Sequence, residues 1–389
     1  MSVKRVLIAH QSTIPHYRVR FYQEVERLRP TWWDFTVIYD ACETQKQFFL
    51  ELDHETFGFH VKHVRTHGLT FGHRRLVFQT FPFTAWPYDL VVVGNSIHNL
   101  SYPLTYLWRL LGKSVVYWGQ GRDTSVERAS GLKGISEKAK IWLTCRSDGF
   151  FAYTKSVHDF MKHQGLNESK IFTLYNTIDT EKLRSIFEEH IRYRDDYKKS
   201  EGLDGKKVLL FVGRLNKRKR LDFLIETFAV LRRQDPQYHL IVIGGGDTSY
   251  ITRLEETCGK DAISYKGFVS EEDINYFYVI SDLYIFPGAE GLGPIQALCF
   301  DLTPVVIDSP IHNPEYDYLN EENAIICHPA VSPEAYADAI DTHLQDTDQW
   351  NRVRAQAWPS IRHLTVENMA KNFVHGINTI LGSPRRLST

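Results

Sequence analysis

Short apolar runs alternate with longer amphipathic stretches along the chain, a pattern that predicts βαβ units and parallel sheets. The run at residues 90–93 is apolar at every position, which is typical of a strand in a sheet covered on both faces. In the first half, strands are predicted at residues 6–9, 35–39, 90–93, 114–118 and 149–153. Helices are predicted at residues 18–28, 102–111, 135–145 and 156–163.

The alternation stops between residues 181 and 206, where charged residues are dense, and then starts again. We interpret this segment as a connection between domains with a surface helix. The second half predicts further strands at residues 208–212, 240–243, 263–265, 283–286, 305–307 and 324–326. Helices are predicted at residues 221–234, 271–280, 295–300 and 333–344, and a last helix at residues 366–380.

These elements predict an α/β chain of two Rossmann-like, doubly wound parallel-sheet domains that face a cleft. The length of 389 residues fits two domains of about 150 residues each with their connections. We place the N-terminal domain at residues 1–180 and the C-terminal domain at residues 205–360, followed by the helix at 366–380. Loops after residues 212, 243, 286 and 307 should share the cleft, since ligands bind outside the carboxyl ends of such strands.

The charge balance differs between the two halves. The net charge of −1 argues against a nucleic-acid partner. Residues 1–180 nevertheless carry 22 Lys and Arg against 16 Asp and Glu, and they hold six of the eight Trp. We expect different partners for the two halves, with peripheral membrane contact through the basic N-terminal domain as one candidate.

The five cysteines are widely separated, so neither a disulfide framework nor a zinc site is predicted. The first apolar run is too short for a signal peptide. Residues 90–108 carry no charge, but polar residues and a proline interrupt them, so they make a poor membrane span. We therefore expect a cytoplasmic protein, either free or at the inner face of the membrane.

The loop after residue 212 combines a glycine with several cations. Gly213 permits a tight turn, and Arg214 and Lys219 stand at a strand end and a helix start. A guanidinium fork, an ammonium and a helix N-terminus together suit a diphosphate. The alternative is a solvated basic helix start, which we favour for the neighbouring cations, whereas chemistry alone leaves both explanations open for Arg214 and Lys219.

Two further loops are rich in glycine. In the loop at residues 287–294, Gly291, Leu292 and Gly293 bring backbone towards a helix start where an anion could bind, and Glu290 offers a carboxylate to sugar hydroxyls. A plain turn with Glu290 near the cap is the alternative, and we favour binding. Gly246 ends the Gly244-Gly245-Gly246 run. Two explanations stay open for this run: its backbone approaches a phosphate, or it forms a tight turn.

The chain resembles the large "family four" group of retaining glycosyltransferases with the GT-B fold. The stretch V-G-R-L-N-K-R-K-R-L-D at residues 212–222 looks like the donor signature of that group. I-G-G-G-D, Y-K-G-F-V, S-D-L-Y-I-F-P-G-A-E-G-L-G and T-P-V-V follow in the family's order. The P-G-x-x-G-L loop followed by Pro314-Glu315 is similar to that of bacterial members that act in surface-polysaccharide biosynthesis.

The resemblance implies roles for individual residues. Arg214 and Lys219 would hold the donor diphosphate without a metal, and Glu290 would contact the transferred sugar. Backbone around Phe268 and Val269 would read the base of a UDP-, GDP- or ADP-sugar. The helix at 366–380 would cross back to the N-terminal domain, which would bind a glycan or a lipid-linked acceptor.

Two positions depart from the family's pattern. Many members carry a second glutamate that binds the ribose, whereas Gln296 is the candidate substitute here. A family histidine in the N-terminal domain is replaced by Gln120, which cannot transfer a proton. Gln120, Tyr17 and Arg18 are the acceptor-side candidates.

Two other features are candidate sites. Arg18, Arg20, Arg74 and Arg75 stand among aromatic residues, which fits an acceptor- or membrane-facing patch or, as we favour, an aromatic core with arginine stems along it. Asp346-Thr347-Asp348 matches the metal-binding D-x-D of another transferase fold but lies away from the four loops. We expect no metal there.

The sequence thus predicts transfer of a sugar from a nucleotide diphosphate sugar to a glycan or glycolipid hydroxyl, with retention of configuration. Two alternatives stay open, a sugar-nucleotide 2-epimerase of the same fold and a catalytically inactive nucleotide-sugar-binding homologue.

Overall fold

The computed structural model describes residues 2–10, 14–40, 57–71, 74–80, 87–96, 99–122 and 131–382. Contacts within the chain divide it into two compact units. The first unit contains the residues up to Asn176 together with the segment that begins at Val366, and the second unit is Thr177–Thr365.

The first unit is built on a seven-stranded sheet in which every pair of neighbouring strands is parallel. Its order is β3-β2-β1-β6-β7-β8-β9. The strands are β1 Lys4–Ala9, β2 Trp33–Tyr39, β3 His60–His63, β6 Leu90–Gly94, β7 Ser114–Gly119, β8 Gly149–Ala152 and β9 Ile171–Thr173, and an antiparallel hairpin adds β4 Thr66–Phe71 and β5 Arg74–Gln79. The helices are α1 His16–Leu28, α2 Ser101–Leu104, α3 Tyr106–Leu110, α4 Gly131–Cys145 and α5 Lys155–His163.

The second unit has a six-stranded parallel sheet with the order β12-β11-β10-β13-β14-β15. Its strands are β10 Lys207–Val212, β11 Tyr238–Ile243, β12 Ile263–Gly267, β13 Leu283–Phe286, β14 Thr303–Ile307 and β15 Ile325–Cys327. Its helices are α6 Thr180–His190, α7 Arg194–Ser200, α8 Leu221–Gln234, α9 Ser249–Cys258, α10 Glu271–Ile280, α11 Gly293–Cys299, α12 Pro333–Gln345 and α13 Thr347–Ile361.

Strand order reverses once in each sheet, between β1 and β6 in the first unit and between β10 and β13 in the second. The loops that leave two such strands run to opposite faces of the sheet, so a crevice opens at their carboxyl ends. In the second unit this position lies between the loop after Val212 and the loop after Phe286.

The charge-dense segment that we interpreted as a connection consists of α6 and α7 and belongs to the second unit. Asp282, at the start of β13, is buried and accepts hydrogen bonds from Arg194, from the Lys198 ammonium at 3.2 Å and from the Val208 amide at 2.7 Å. These contacts hold α7 against β10 because a buried carboxylate is stable only when it is paired.

The C-terminal helix, α14 (Val366–Gly382), packs into the core of the first unit. Phe373 stacks on Phe151 with ring centroids 4.6 Å apart, and it contacts Phe21 and Trp118 at 5.5 and 5.6 Å. Gly376 is buried where a Cβ atom would lie 2.4 Å from the Phe151 ring. A segment distant in sequence therefore completes the aromatic core of the first sheet.

The two parallel-sheet units and the C-terminal helix confirm the predicted fold class. The sequence pattern missed β3, β9, the hairpin, α9 and α13, which are short, half-polar or interrupted by proline. The hairpin carries Arg74 and Arg75, whose side chains lie outside the described residues. Across the described ranges, no helix combines the length and apolar character needed to cross a membrane.

We predict that Gly376→Ala lowers the free energy of unfolding of the first unit by about 1–3 kcal/mol because the added methyl group overlaps the Phe151 ring. Alanine ordinarily stabilises a helix relative to glycine by up to about 1 kcal/mol, so the expected sign is reversed. Denaturant titration followed by tryptophan fluorescence measures the change. Gly382→Ala, where a Cβ atom meets nothing within 4 Å, is the matched control and should be neutral or slightly stabilising.

Candidate functional site

The candidate site lies at the carboxyl edge of the second sheet, where the strand order reverses. Strands β10 and β13 are direct neighbours, so the loops that follow Val212 and Phe286 leave the sheet side by side. The Ala289 amide donates to the Arg218 carbonyl at 3.0 Å, which joins the two loops through their backbones. The two loops that the sequence singled out, at residues 212–222 and 287–294, are thus brought together within one unit.

The first loop forms a short 3-10 turn, Lys217–Lys219, before α8 begins. The Asn216 side chain caps this turn by accepting from the Arg218 amide at 3.0 Å. Arg220 then adopts φ 52°, a left-handed conformation that reverses the chain direction into α8. This local geometry turns Lys219 towards the second loop and leaves Lys217 and Arg218 exposed.

Lys219 is held in a partly buried position between the two loops. Its ammonium donates to the Ala289 carbonyl at 2.5 Å and lies 4.5 Å from the centre of the Phe286 ring. Burial lowers the pKa of Lys219, the Glu290 carboxyl opposes that shift, and the nearby Arg218 and Arg214 charges add to it. An ammonium destabilised by burial and by like charges gains from an incoming anion.

Glu290 is 5% exposed and lies within electrostatic range of this ammonium. One carboxyl oxygen, Oε1, accepts from the Gly291 amide at 3.0 Å, and Oε2 accepts from the Tyr284 hydroxyl at 3.3 Å. Burial raises the pKa of Glu290 to about 7, and Lys219 together with these donors and the Gly293 amide opposes the rise. The carboxyl also lies at the N-terminus of α11, so the capping explanation that the sequence left open applies to one of its oxygens.

Two residues after β14 hold the backbone of Glu290. The Glu290 amide donates to His312 Nδ1 at 3.1 Å, and the Asn313 amide donates to the Glu290 carbonyl at 2.8 Å. His312 Nε2 donates to the Ile307 carbonyl at 2.7 Å, and burial lowers the pKa of this histidine. A neutral imidazole with its proton on Nε2 satisfies both hydrogen bonds.

Sequence reasoning singled out the loop after residue 307 but missed His312 and Asn313. The only available signal was their position one short loop beyond a buried strand of the same sheet edge. Tyr284, inside β13, carried no signal because its hydroxyl reaches the site only through the fold.

Glycines allow the loops to approach one another closely. A Cβ atom on Gly288 would lie 2.4 Å from the Lys219 backbone, and one on Gly293 would lie 2.3 Å from the Tyr284 hydroxyl and 2.6 Å from the Glu290 carboxyl. Gly246 adopts φ 138° and pairs with Leu215, so a Cβ atom there would meet the Leu215 carbonyl at 2.5 Å. The glycine run after β11 therefore packs against the loop that carries Lys219.

The remaining donor-side candidates surround this core of contacts. Arg214 is exposed directly after Gly213, whose amide donates to the Ile243 carbonyl at 2.9 Å. Phe268 is 62% exposed at the end of β12 and is followed by the half-buried Val269. Gln296, on α11, is half-buried.

Gln296 donates from Nε2 to the Asn275 side chain of α10 at 3.2 Å, and Asn275 is itself buried. A side chain engaged in this way must exchange that partner before it can bind a ribose. Its role as a substitute for the missing glutamate therefore stays a prediction. Gly291 and Leu292 form the half-buried bend between Glu290 and α11.

The acceptor-side candidates belong to the first unit. Tyr17 and Gln120 are half-buried near the carboxyl edge of its sheet, at the start of α1 and after β7. Arg18 is only 1% exposed, and its guanidinium donates to Asn176 and lies 3.3 Å from the Met369 sulfur of α14. Arg18 thus joins distant segments of the unit, which fits the core explanation rather than an exposed patch.

The Asp346-Thr347-Asp348 segment starts α13, where the Asp346 carboxylate accepts from the Gln349 amide at 2.9 Å as an N-cap. Among the residues that the structure describes, no group of three or more His, Cys, Asp or Glu side chains is arranged to hold a metal ion. The capping role accounts for Asp346 in this segment.

The loops as a whole offer a partly buried ammonium, a buried carboxyl with a pKa of about 7, a helix N-terminus and an exposed guanidinium. Such a set suits a multiply charged anion on the lysine side and hydroxyl groups on the carboxyl side.

Comparisons with known proteins bear on the same region. The family of glycosyl transferases group 1 matches residues 193–358. Spore coat protein SA of Bacillus subtilis is 28% identical over 200 residues, 48% of this chain and 52% of that protein. Alpha-D-kanosaminyltransferase of Streptomyces kanamyceticus is 25% identical over 171 residues, 43% of this chain and 44% of that protein. The chain spans about half the length of the curated relatives it matches.

A solved structure extends the likeness to the first unit. HepE of Anabaena in complex with UDP aligns with a TM-score of 0.71 over 97% of this chain and 100% of that one, at 14% identity. At this identity the likeness concerns the fold, which is the GT-B fold that the sequence predicted. Residues 193–358, which lie within the second unit, are therefore similar to the group 1 glycosyl transferases.

Proposed function

We propose that this protein transfers a sugar from a nucleotide diphosphate sugar to a hydroxyl group of a glycan or glycolipid, with retention of the anomeric configuration. The observation that carries the proposal is the contact between the two loops at the strand-order reversal. This contact brings the Lys219 ammonium into electrostatic range of the Glu290 carboxyl. HepE of Anabaena was solved with UDP, a nucleoside diphosphate, which supports the same class of donor here.

In this proposal Lys219 and Arg214 bind the diphosphate. The bond between the anomeric carbon and the diphosphate oxygen breaks, and the nucleoside diphosphate leaves with the electron pair. The acceptor oxygen forms the new bond to the anomeric carbon on the face that the diphosphate leaves, and its proton passes to the leaving phosphate oxygen. Because negative charge grows on the leaving phosphate, two fixed cations lower the barrier in the way that a bound metal ion would.

Glu290 is the proposed contact to the transferred sugar. Its Oε2 has one described partner, the Tyr284 hydroxyl at 3.3 Å, so this oxygen retains capacity for a sugar hydroxyl. His312 and Asn313 fix the Glu290 backbone, and the neutral imidazole adds no competing charge. They are proposed as positioning residues.

Screening UDP, GDP, ADP and their sugars by thermal shift tests the donor class, because a ligand that binds the native state raises the unfolding midpoint. We expect one nucleoside diphosphate to raise it clearly above the others, and its sugar to raise it further. Incubation with the identified donor, with and without glycan acceptors, then separates the functions. Transfer supports the proposal, an epimerised sugar from donor alone indicates the 2-epimerase, and binding without any turnover indicates an inactive homologue.

We predict that Lys219→Ala weakens nucleoside diphosphate binding by about 2–5 kcal/mol, roughly thirtyfold or more, because a partly buried cation is lost from the diphosphate. Isothermal titration calorimetry measures the change. Lys217→Ala is the matched control in the same 3-10 turn, where the side chain is exposed. Equal losses in both variants would contradict the assigned role of Lys219.

We predict that the contribution of the sugar to donor affinity depends on pH through Glu290. Because the pKa of Glu290 is about 7, the carboxyl is neutral below that pH and becomes a carboxylate acceptor above it. The affinity for the nucleotide sugar, divided by that for the nucleoside diphosphate, should rise from about pH 6 to about pH 8. In Glu290→Gln this ratio should be independent of pH, and an unchanged slope would exclude Glu290 as its source.

We predict that Gly288→Ala weakens nucleoside diphosphate binding at least about tenfold because the new methyl group displaces the Lys219 backbone. Gly245→Ala, where a Cβ atom meets nothing within 4 Å, should leave binding unchanged. Titration calorimetry on both variants, with circular dichroism to verify folding, makes the comparison. If the two variants bind alike, the loop contact does not position Lys219.

A further inference from the structure

Large apolar side chains are exposed in one short part of the first unit. Twelve such side chains are exposed among the described residues, and seven of them fall between residues 100 and 142. The seven are Leu100, Leu104, Leu107, Leu110, Leu111, Ile135 and Trp142. Single exposed apolar residues are ordinary, but a concentrated set indicates a surface that binds another apolar body.

The leucines lie along α2 and α3. Leu104, Leu107 and Leu111 follow the three- and four-residue spacing of one helical face, and Leu110 beside them is 75% exposed, the highest value of the group. The opposite side of the segment is anchored, since Ser101 and Thr105 are buried. The leucines are therefore held outwards by a fixed scaffold.

Helix α4 presents a second exposed face. Ile135, Lys138, Ala139, Trp142 and Arg146 follow helical spacing, and all five are exposed. The Arg146 guanidinium lies 3.9 Å from the centre of the Trp142 ring. This face combines an apolar body with a cationic rim.

Two contacts join these helices into one surface. The Tyr106 and Trp142 rings are 6.3 Å apart, and the Arg109 side chain donates to Asp148 at 3.2 Å, just beyond α4. We call the exposed residues of α2, α3 and α4 the leucine–tryptophan surface; they are Leu104, Leu107, Leu110, Leu111, Ile135, Lys138, Ala139, Trp142 and Arg146.

The charged residues of the leucine–tryptophan surface are both cations, Lys138 and Arg146. The neighbouring acids are less exposed and engaged by cations, Glu137 by Lys140 at 2.7 Å and Asp148 by Arg109. A surface with exposed leucines, an exposed tryptophan and two cations, whose described acidic neighbours are already paired, matches the boundary of a bilayer that contains anionic lipid.

We propose that the leucine–tryptophan surface docks the protein on a membrane of anionic phospholipid. The leucines and Trp142 enter the boundary between headgroups and acyl chains, and Lys138 and Arg146 contact lipid phosphates. The docking is peripheral and reversible. It requires neither the proposed donor site nor the proposed transfer reaction, since all of its residues belong to the first unit.

Vesicle co-sedimentation of the full chain tests the proposal. Vesicles of phosphatidylcholine alone are compared with vesicles of equal parts phosphatidylcholine and phosphatidylglycerol, at low and high salt. We expect binding to the anionic vesicles that weakens with salt. Leu107→Ser/Leu110→Ser should reduce the partition coefficient about tenfold or more, and Lys138→Glu/Arg146→Glu should reduce it similarly at low salt only.

Matched control variants separate this surface from general exposure and charge. Val3→Ser removes an exposed apolar residue elsewhere in the same unit, and Trp32→Ser is the counterpart of Trp142→Ser. Arg192→Glu reverses a cation that stacks on an exposed aromatic ring, Tyr193, at 4.7 Å in the second unit. These controls should bind vesicles as the unchanged protein does.

Three outcomes would overturn the proposal. The first is no binding of the unchanged protein to anionic vesicles at low salt. The second is equal loss in the surface variants and the controls. The third is a dimer in analytical ultracentrifugation that the leucine variant dissociates while vesicle binding is absent, which would assign the surface to a second copy. Lys219→Ala should retain vesicle binding, so failure of the donor-site proposal is distinguishable.

Discussion

The hydrogen bond from the Lys219 ammonium to the Ala289 carbonyl joins the two loops that leave the second sheet where its strand order reverses. Parallel pairing of β10 with β13 fixes the starting points of both loops, and the absence of a side chain at Gly288 lets their backbones touch. The position of Lys219 and the burial of Glu290 both follow from this contact. Without it, the two groups would be a solvated lysine and a helix cap.

Burial gives this pair its chemical character. The carboxyl gains a proton at a higher pH than usual and the ammonium loses one more readily, while each partner opposes the shift of the other. Both groups are poorly solvated before a ligand arrives. The negative charge of a diphosphate would stabilise the Lys219 ammonium in place of the water that burial excludes. Burial and two backbone hydrogen bonds keep His312 neutral. It therefore holds the Glu290 backbone in place without adding a charge to the site.

The first unit also has a parallel sheet, but its core depends on the C-terminal helix. Its core is aromatic, and α14 completes it by stacking Phe373 on Phe151 across more than two hundred residues of sequence. Arg18, for which the sequence left an exposed patch open but favoured an aromatic core, joins α1, Asn176 and α14 inside this core. Most of the large apolar residues of the first unit that are exposed lie instead on or directly beside α2, α3 and α4, in a segment that the sequence predicted only as helices.

The sequence by itself determined the parallel-sheet architecture, because runs such as Leu90–Gly94 are apolar throughout and the helices between them are amphipathic. It also placed Arg214, Lys219 and Glu290 on loops at the carboxyl edge, since loop position follows from strand order along the chain. Only the tertiary structure decided that Lys219 turns inward while Lys217 stays exposed, and that His312 holds Glu290. It alone decided that Arg18 is buried whereas Trp142 is exposed. Periodicity records the face of an element on which a residue lies, but burial and pairing depend on neighbours that are distant in sequence and meet only after the chain has folded.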